Sequence, residues 1–101
     1  MKKYQITILK QALKDLDELS IVISEVYKAP ITAKNYTEGL ILEIRSLCNH
    51  AESLPISINK EVLKYGINAR QVNYKKHTVI YTVKDDIVVI RKIIISSLIK
   101  S

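Results

Sequence analysis

Lys75, Lys76 and His77 stand together at the start of an alternating segment, with Arg70 before it and Arg91-Lys92 in the segment after it. An imidazole exchanges protons near neutral pH, and fixed cations hold phosphate, so these residue types suit phosphoryl chemistry or polyanion binding. Like charge from Lys75 and Lys76 biases His77 toward its neutral form, as a general base requires. The plainer alternative is an exposed histidine in a turn. Arg70 and Arg91, if they share a sheet face, make a basic strip for phosphate or an acidic peptide, extended by Lys75, Lys76 and Lys92. Otherwise their aliphatic stems cover sheet edges while the charged heads stay wet. Tyr74 and Tyr81 either stack bases or, alternating in register with Val72 and Val79, fill a core. Cys48, His50 and Glu52 make a poor metal set, because Cys48 and His50 point different ways on a helix. No Gly-rich phosphate loop or Ser/His/Asp arrangement is visible, so neither a metal nor a cofactor is expected.

These side chains need a sheet to position them. Arg70–Tyr74 reads as a short strand, Lys75-Lys76 as a turn, and His77–Val83 as an alternating strand. Lys84-Asp85-Asp86 is the next turn, and Ile87–Ile95 is an apolar run suited to a strand buried on both faces. Earlier, Lys3–Leu9 alternates as a half-buried strand. From Lys10 to about Tyr27, Leu13, Leu16, Leu19 and Ile23 recur at helical spacing. Pro30 ends that helix and opens a second, whose stripe is Ala33, Tyr36, Leu40, Ile44, Leu47, Cys48 and Ala51. Leu54-Pro55 stops it. Gly39, in mid-helix, predicts close approach to the first helix. Residues 55–67 carry no clear period beyond a turn at Tyr65-Gly66.

The chain has 101 residues, 48% of them hydrophobic, with only two Gly and two Pro, which predicts one densely structured domain over 1–101. One Cys leaves no intramolecular disulfide framework. Neither a signal peptide nor a membrane-spanning run is visible, so a cytoplasmic protein with no membrane partner is expected. Residues 1–59 hold seven basic and seven acidic side chains, whereas residues 60–101 hold nine basic and three acidic ones. The whole net charge of +6 therefore lies with the sheet segments, which predicts an acidic or polyanionic partner or else a merely soluble basic surface.

The order strand, helix, helix, three strands, together with particular residues, resembles the RelE/ParE superfamily of bacterial type II toxins, the plasmid stabilisation proteins. YQITILKQALKDLDEL is similar to that family's opening strand and Ala-x-x-Asp-Leu helix start, here Ala12, Asp15 and Leu16. APITAKNYTEGLILEIRSL is similar to its second helix, and NARQVNYKKHTVIYTVKDDIVVIRKI to its sheet, with Ile80–Val83 as the Ile-Tyr-x-Val ending. The resemblance covers nearly the whole chain. It implies an α+β fold, β-α-α-β-β-β, with a helical hairpin on one face of a largely antiparallel sheet. It also implies an antitoxin partner, and either gyrase or the ribosome and its mRNA as target. RelE-like nucleases carry a basic residue where this chain has Thr78, and further basic residues after the last strand where it has Ser96-Ser97. The expectation is thus a ParE-like or degenerate toxin component that binds its target. The alternatives are a ribosome-associated mRNA endonuclease using His77, Arg70 and Arg91, and a non-toxic binding module. Ile93, Ile95, Leu98 and Ile99 form an apolar tail for an antitoxin or a second copy of the chain, met by edge addition or in a groove.

Overall fold

The computed structural model describes residues 3–99. Strand β1 (Gln5–Ile8) leads into helix α1 (Lys10–Ile21), a π-helical turn (Val22–Val26) and helix α2 (Pro30–His50). A short helix α3 (Lys60–Leu63) precedes strands β2 (Arg70–Tyr74), β3 (His77–Lys84) and β4 (Ile87–Ile95), and a 3₁₀ turn (Ser96–Leu98) follows. The α+β order is the expected one. The sheet runs β1-β4-β3-β2, antiparallel except that β1 is parallel to β4. The Ile/Val-rich segment is thus an inner strand, flanked on both sides along its first half, as a nearly continuous apolar run requires.

Two basic residues interrupt that run, and the register explains them. Ile80 lies opposite Lys92 and Tyr81 opposite Ile90, which leaves Arg91 as the extra residue of a β-bulge. Without the bulge, alternation would send Lys92 and Ile94 toward the helices. With it, Val88, Ile90 and Ile93 join the helix-side core, while Ile94 packs on the other face.

The helices cover one face. Leu40, Ile44 and Leu47 of α2 and Ala12 and Leu16 of α1 meet Val72, Val79, Tyr81, Val88, Ile90 and Ile93 of the sheet. The opposite face is not bare. Val62 of α3, Ala69 and Ile80 form a second buried cluster there, with Ile94 and Ile99 against it, so residues 55–67 act as partial cover.

Three details differ from expectation. Helix α1 keeps its regular form only to Ile21 and then widens by one π turn, with Tyr27 N–H donating to Val22 C=O at 3.3 Å. Helix α2 ends at His50, and the sheet binds the carbonyls of the turn that follows it: Tyr81 Oη donates to Ala51 C=O at 2.6 Å, and the Arg70 guanidinium donates to the carbonyls of Glu52 and Leu54. Gly39 makes room for Tyr74 rather than for α1, since a Cβ there would stand 1.9 Å from the Tyr74 hydroxyl oxygen.

A groove between the first helix and the end of the sheet

Among the described residues, strand β1 pairs only with Ile87–Ile90, and the remainder of β4 has no strand on that side. Helix α1 runs alongside instead. Asp15 anchors it there, its carboxylate accepting from Lys92 Nζ at 2.9 Å and from the Ile93 N–H at 3.1 Å. The bulge turns that N–H out of the ladder, and Asp15 satisfies it. Beyond this clamp helix and strand diverge over a groove with two connected compartments. One, of about 210 Å³, is lined by Asp15, Glu18, Leu19, Val22, His77, Ile93 and Ile95. The other, of about 290 Å³, shares Leu19, Val22, His77 and Ile95 and adds Ile23, Tyr27, Tyr36 and Lys76. Glu18 lies at one end and Lys76 at the other. Val22 (42% exposed), Ile95 (49%) and Tyr27 (72%) leave much of this apolar surface open to water.

His77 belongs to both compartments. It is half-buried rather than free in its turn, and its Nδ1 lies 2.7 Å from the Tyr36 hydroxyl, with the two rings edge to face. Burial lowers its pKa below the usual histidine value, whereas like charge was the cause expected from the sequence. Tyr36 also accepts from the Lys76 N–H at 3.3 Å and lies 3.4 Å from the Tyr74 carbonyl oxygen, and burial raises its pKa. Lys75, at a positive φ of 51°, places its ammonium 5.7 Å and 5.4 Å from the ring centroids of Tyr36 and Tyr74.

The structure separates the other candidates. Arg70 binds the turn after α2 from the helix side, whereas Arg91 points to the opposite face, where its Nε donates to Thr82 Oγ1 at 2.8 Å beside Gly66. The two do not share a face, because Arg70 lies opposite Tyr81 on the core side while Thr82 faces away from it. Lys92 is held by Asp15. His77 stands four strand positions from the Tyr81–Arg70 pair, about 13 Å at 3.3 Å per residue. The basic strip and the His77–Arg70–Arg91 constellation are therefore not assembled. Thr78 is buried on the far face, bonded to Asn73 Oδ1 at 2.9 Å and to Ser96 Oγ at 2.7 Å. Tyr81 is fully buried, its pKa pushed up to about 12 by desolvation, so it stacks on nothing outside the core. His50 is turned to Ser46 Oγ at 3.1 Å, and among the described residues no group of three His, Cys, Asp or Glu side chains could hold a metal.

The apolar tail divides likewise. Ile93 is buried under the groove and Ile95 lines it, but Ile99 packs on the far-side cluster and Leu98 is exposed in the 3₁₀ turn. Edge addition to β4 is blocked by β1 along its first half and by α1 along its second, so the groove is what remains open. Reading the sequence for charged and aromatic sheet residues missed Leu19, Val22, Tyr27 and Tyr36 as a set. Their signal was an excess of apolar residues, Leu19 to Tyr27, too many for one stripe of a helix.

The search of curated proteins gives no match. Among solved structures, a chain described as "Chromosomal ParDE TA system from P. aeruginosa" superposes with a TM-score of 0.75 at 15% identity, over 92% of this chain and 96% of that one, which is a likeness of fold. A family model described as "ParE toxin of type II toxin-antitoxin system, parDE" matches residues 6–97, from β1 through the end of β4 and its polar turn. The chain belongs to the ParE toxin family of type II toxin–antitoxin systems.

Proposed function

We propose that this protein works in the cytoplasm as a toxin that binds a macromolecular target, gyrase, and is neutralised by an antitoxin segment lying in the groove between α1 and β4. The open apolar groove carries this reading. Leu19, Val22, Ile93 and Ile95 form its floor, and a soluble chain covers such a surface with a partner. An amphipathic helix fits best, because its apolar face settles into a groove of this kind. The resemblance to a nuclease finds less support, since Arg70 and Arg91 are held on opposite faces by structural bonds.

Inducing the chain alone arrests growth, and co-expressing an antitoxin partner restores growth. Leu19→Glu, which places a charge on the groove floor, leaves toxicity but abolishes rescue. Normal growth on induction would favour a non-toxic binding module, and rescue of the Leu19→Glu variant would place the antitoxin elsewhere. Primer extension on cellular RNA shows unchanged transcripts in the arrested cells, whereas new cleavage ends would indicate the endonuclease.

A further inference from the structure

We propose that the Lys76–His77 end of the groove is a carboxylate subsite, taking an Asp or Glu side chain of the docked antitoxin segment next to an apolar residue seated between Val22 and Ile95. The inference rests on the antitoxin reading above. The donors of the subsite are the Lys76 ammonium, which borders only the wider compartment, and the His77 ring, which borders both. Tyr36 already engages His77 Nδ1 at 2.7 Å, so Nε2 is the ring nitrogen left for a ligand. The other end disfavours an anion: Asp15 is occupied by Lys92 and the Ile93 N–H, and Glu18 stands exposed beside it. The groove therefore has a polarity, anion-accepting near Lys76 and anion-repelling near Glu18. A docked segment is oriented by it.

The titratable groups around His77 are Asp15 and Glu18 from α1, Tyr27 after the π turn, Tyr36 from α2, Tyr74 from β2, and Lys75 and Lys76 in the turn. Burial keeps His77 neutral near pH 7 in the free protein. An arriving carboxylate favours the imidazolium instead, so binding takes up a proton and tightens as pH falls.

Calorimetric titration of the full chain with the antitoxin that rescues growth tests this at about pH 6 and about pH 8. The Kd falls by roughly threefold or more toward the lower pH, with proton uptake seen as a dependence on buffer ionisation enthalpy. His77→Gln flattens the profile, and Lys76→Ala weakens binding about tenfold, whereas Lys84→Ala at the far end of β3 changes neither. One Asp→Asn or Glu→Gln change in the partner reproduces the flat profile. A wild-type complex with no pH dependence, or one whose dependence survives His77→Gln, removes the subsite and leaves the docking reading standing. Absence of any complex removes both. Should His77→Gln not fold, proton uptake by the wild type decides the matter.

Discussion

Single side chains in this protein carry loads their types do not announce. Arg70 is of a type that suits phosphate, yet it ties down the turn that follows α2. Tyr81 has the composition of a base-stacking residue, yet it is fully buried and bonded to the Ala51 carbonyl. Tyr81→Phe leaves that carbonyl without its partner and lowers stability by about 1–2 kcal/mol, measured by urea unfolding. His77 adds a pH dependence to folding. Its folded pKa lies below the unfolded value, so the unfolded chain binds the proton more readily, and stability falls as pH drops from about 6.5 through the lower folded value. His77→Gln removes that component from the pH dependence of the urea midpoint, while a slope unchanged by the substitution would mean that His77 is not the titrating group.

The elements are joined by a few directed contacts. Asp15 is the clamp between α1 and the bulge, and its replacement by Ala costs about 2 kcal/mol, since Lys92 and the Ile93 N–H both lose their acceptor. Faster hydrogen exchange at the Ile93 amide, without matching change in β2, locates the effect. Between the helices, Lys28 takes a φ of 52° just before Ala29 and Pro30, a left-handed position that costs a side-chain-bearing residue about 1 kcal/mol. Lys28→Gly therefore raises stability by at most about 0.5 kcal/mol, after the roughly 0.4–1 kcal/mol of extra freedom of the unfolded glycine is counted, as urea unfolding measures. Gly39 offers the opposite case. Ala would gain about 1 kcal/mol of helix propensity, but its Cβ meets the Tyr74 hydroxyl, and displacing that ring from Tyr36 and Lys75 costs more. Gly39→Ala lowers the melting temperature, and it raises it instead in a Tyr74→Ala background.

At the scale of the whole molecule, the mixed sheet has helices on one face, partial cover from α3 on the other, and a groove where β1 ends before β4 does. Among the described residues, no helix is long and apolar enough to cross a membrane. The net charge of +6 is not one surface: Arg70, Arg91 and Lys92 are drawn into structural bonds, and the Lys75–Lys76 corner is the part that borders the groove. Arg70→Ala and Arg91→Ala should therefore lower the melting temperature without changing antitoxin affinity, and a loss of affinity at unchanged stability would show that these residues face the partner. Element order, the two tight hairpins and the inner place of Ile87–Ile95 were legible in the sequence, because alternation, turn residues and apolar runs are local signals that each strand carries in its own residues. The α2 stripe was legible for the same reason. Which face Lys92, Ile93 and Ile94 take was not, because one extra residue at Arg91 reverses every side chain after it, and nothing in a run of Ile and Val marks where the partner strand slips. The groove was hidden likewise, since it arises from the unequal lengths of β1 and β4 and the path of α1 between them, and only the packed chain brings Leu19, Val22, His77 and Ile95 around one space.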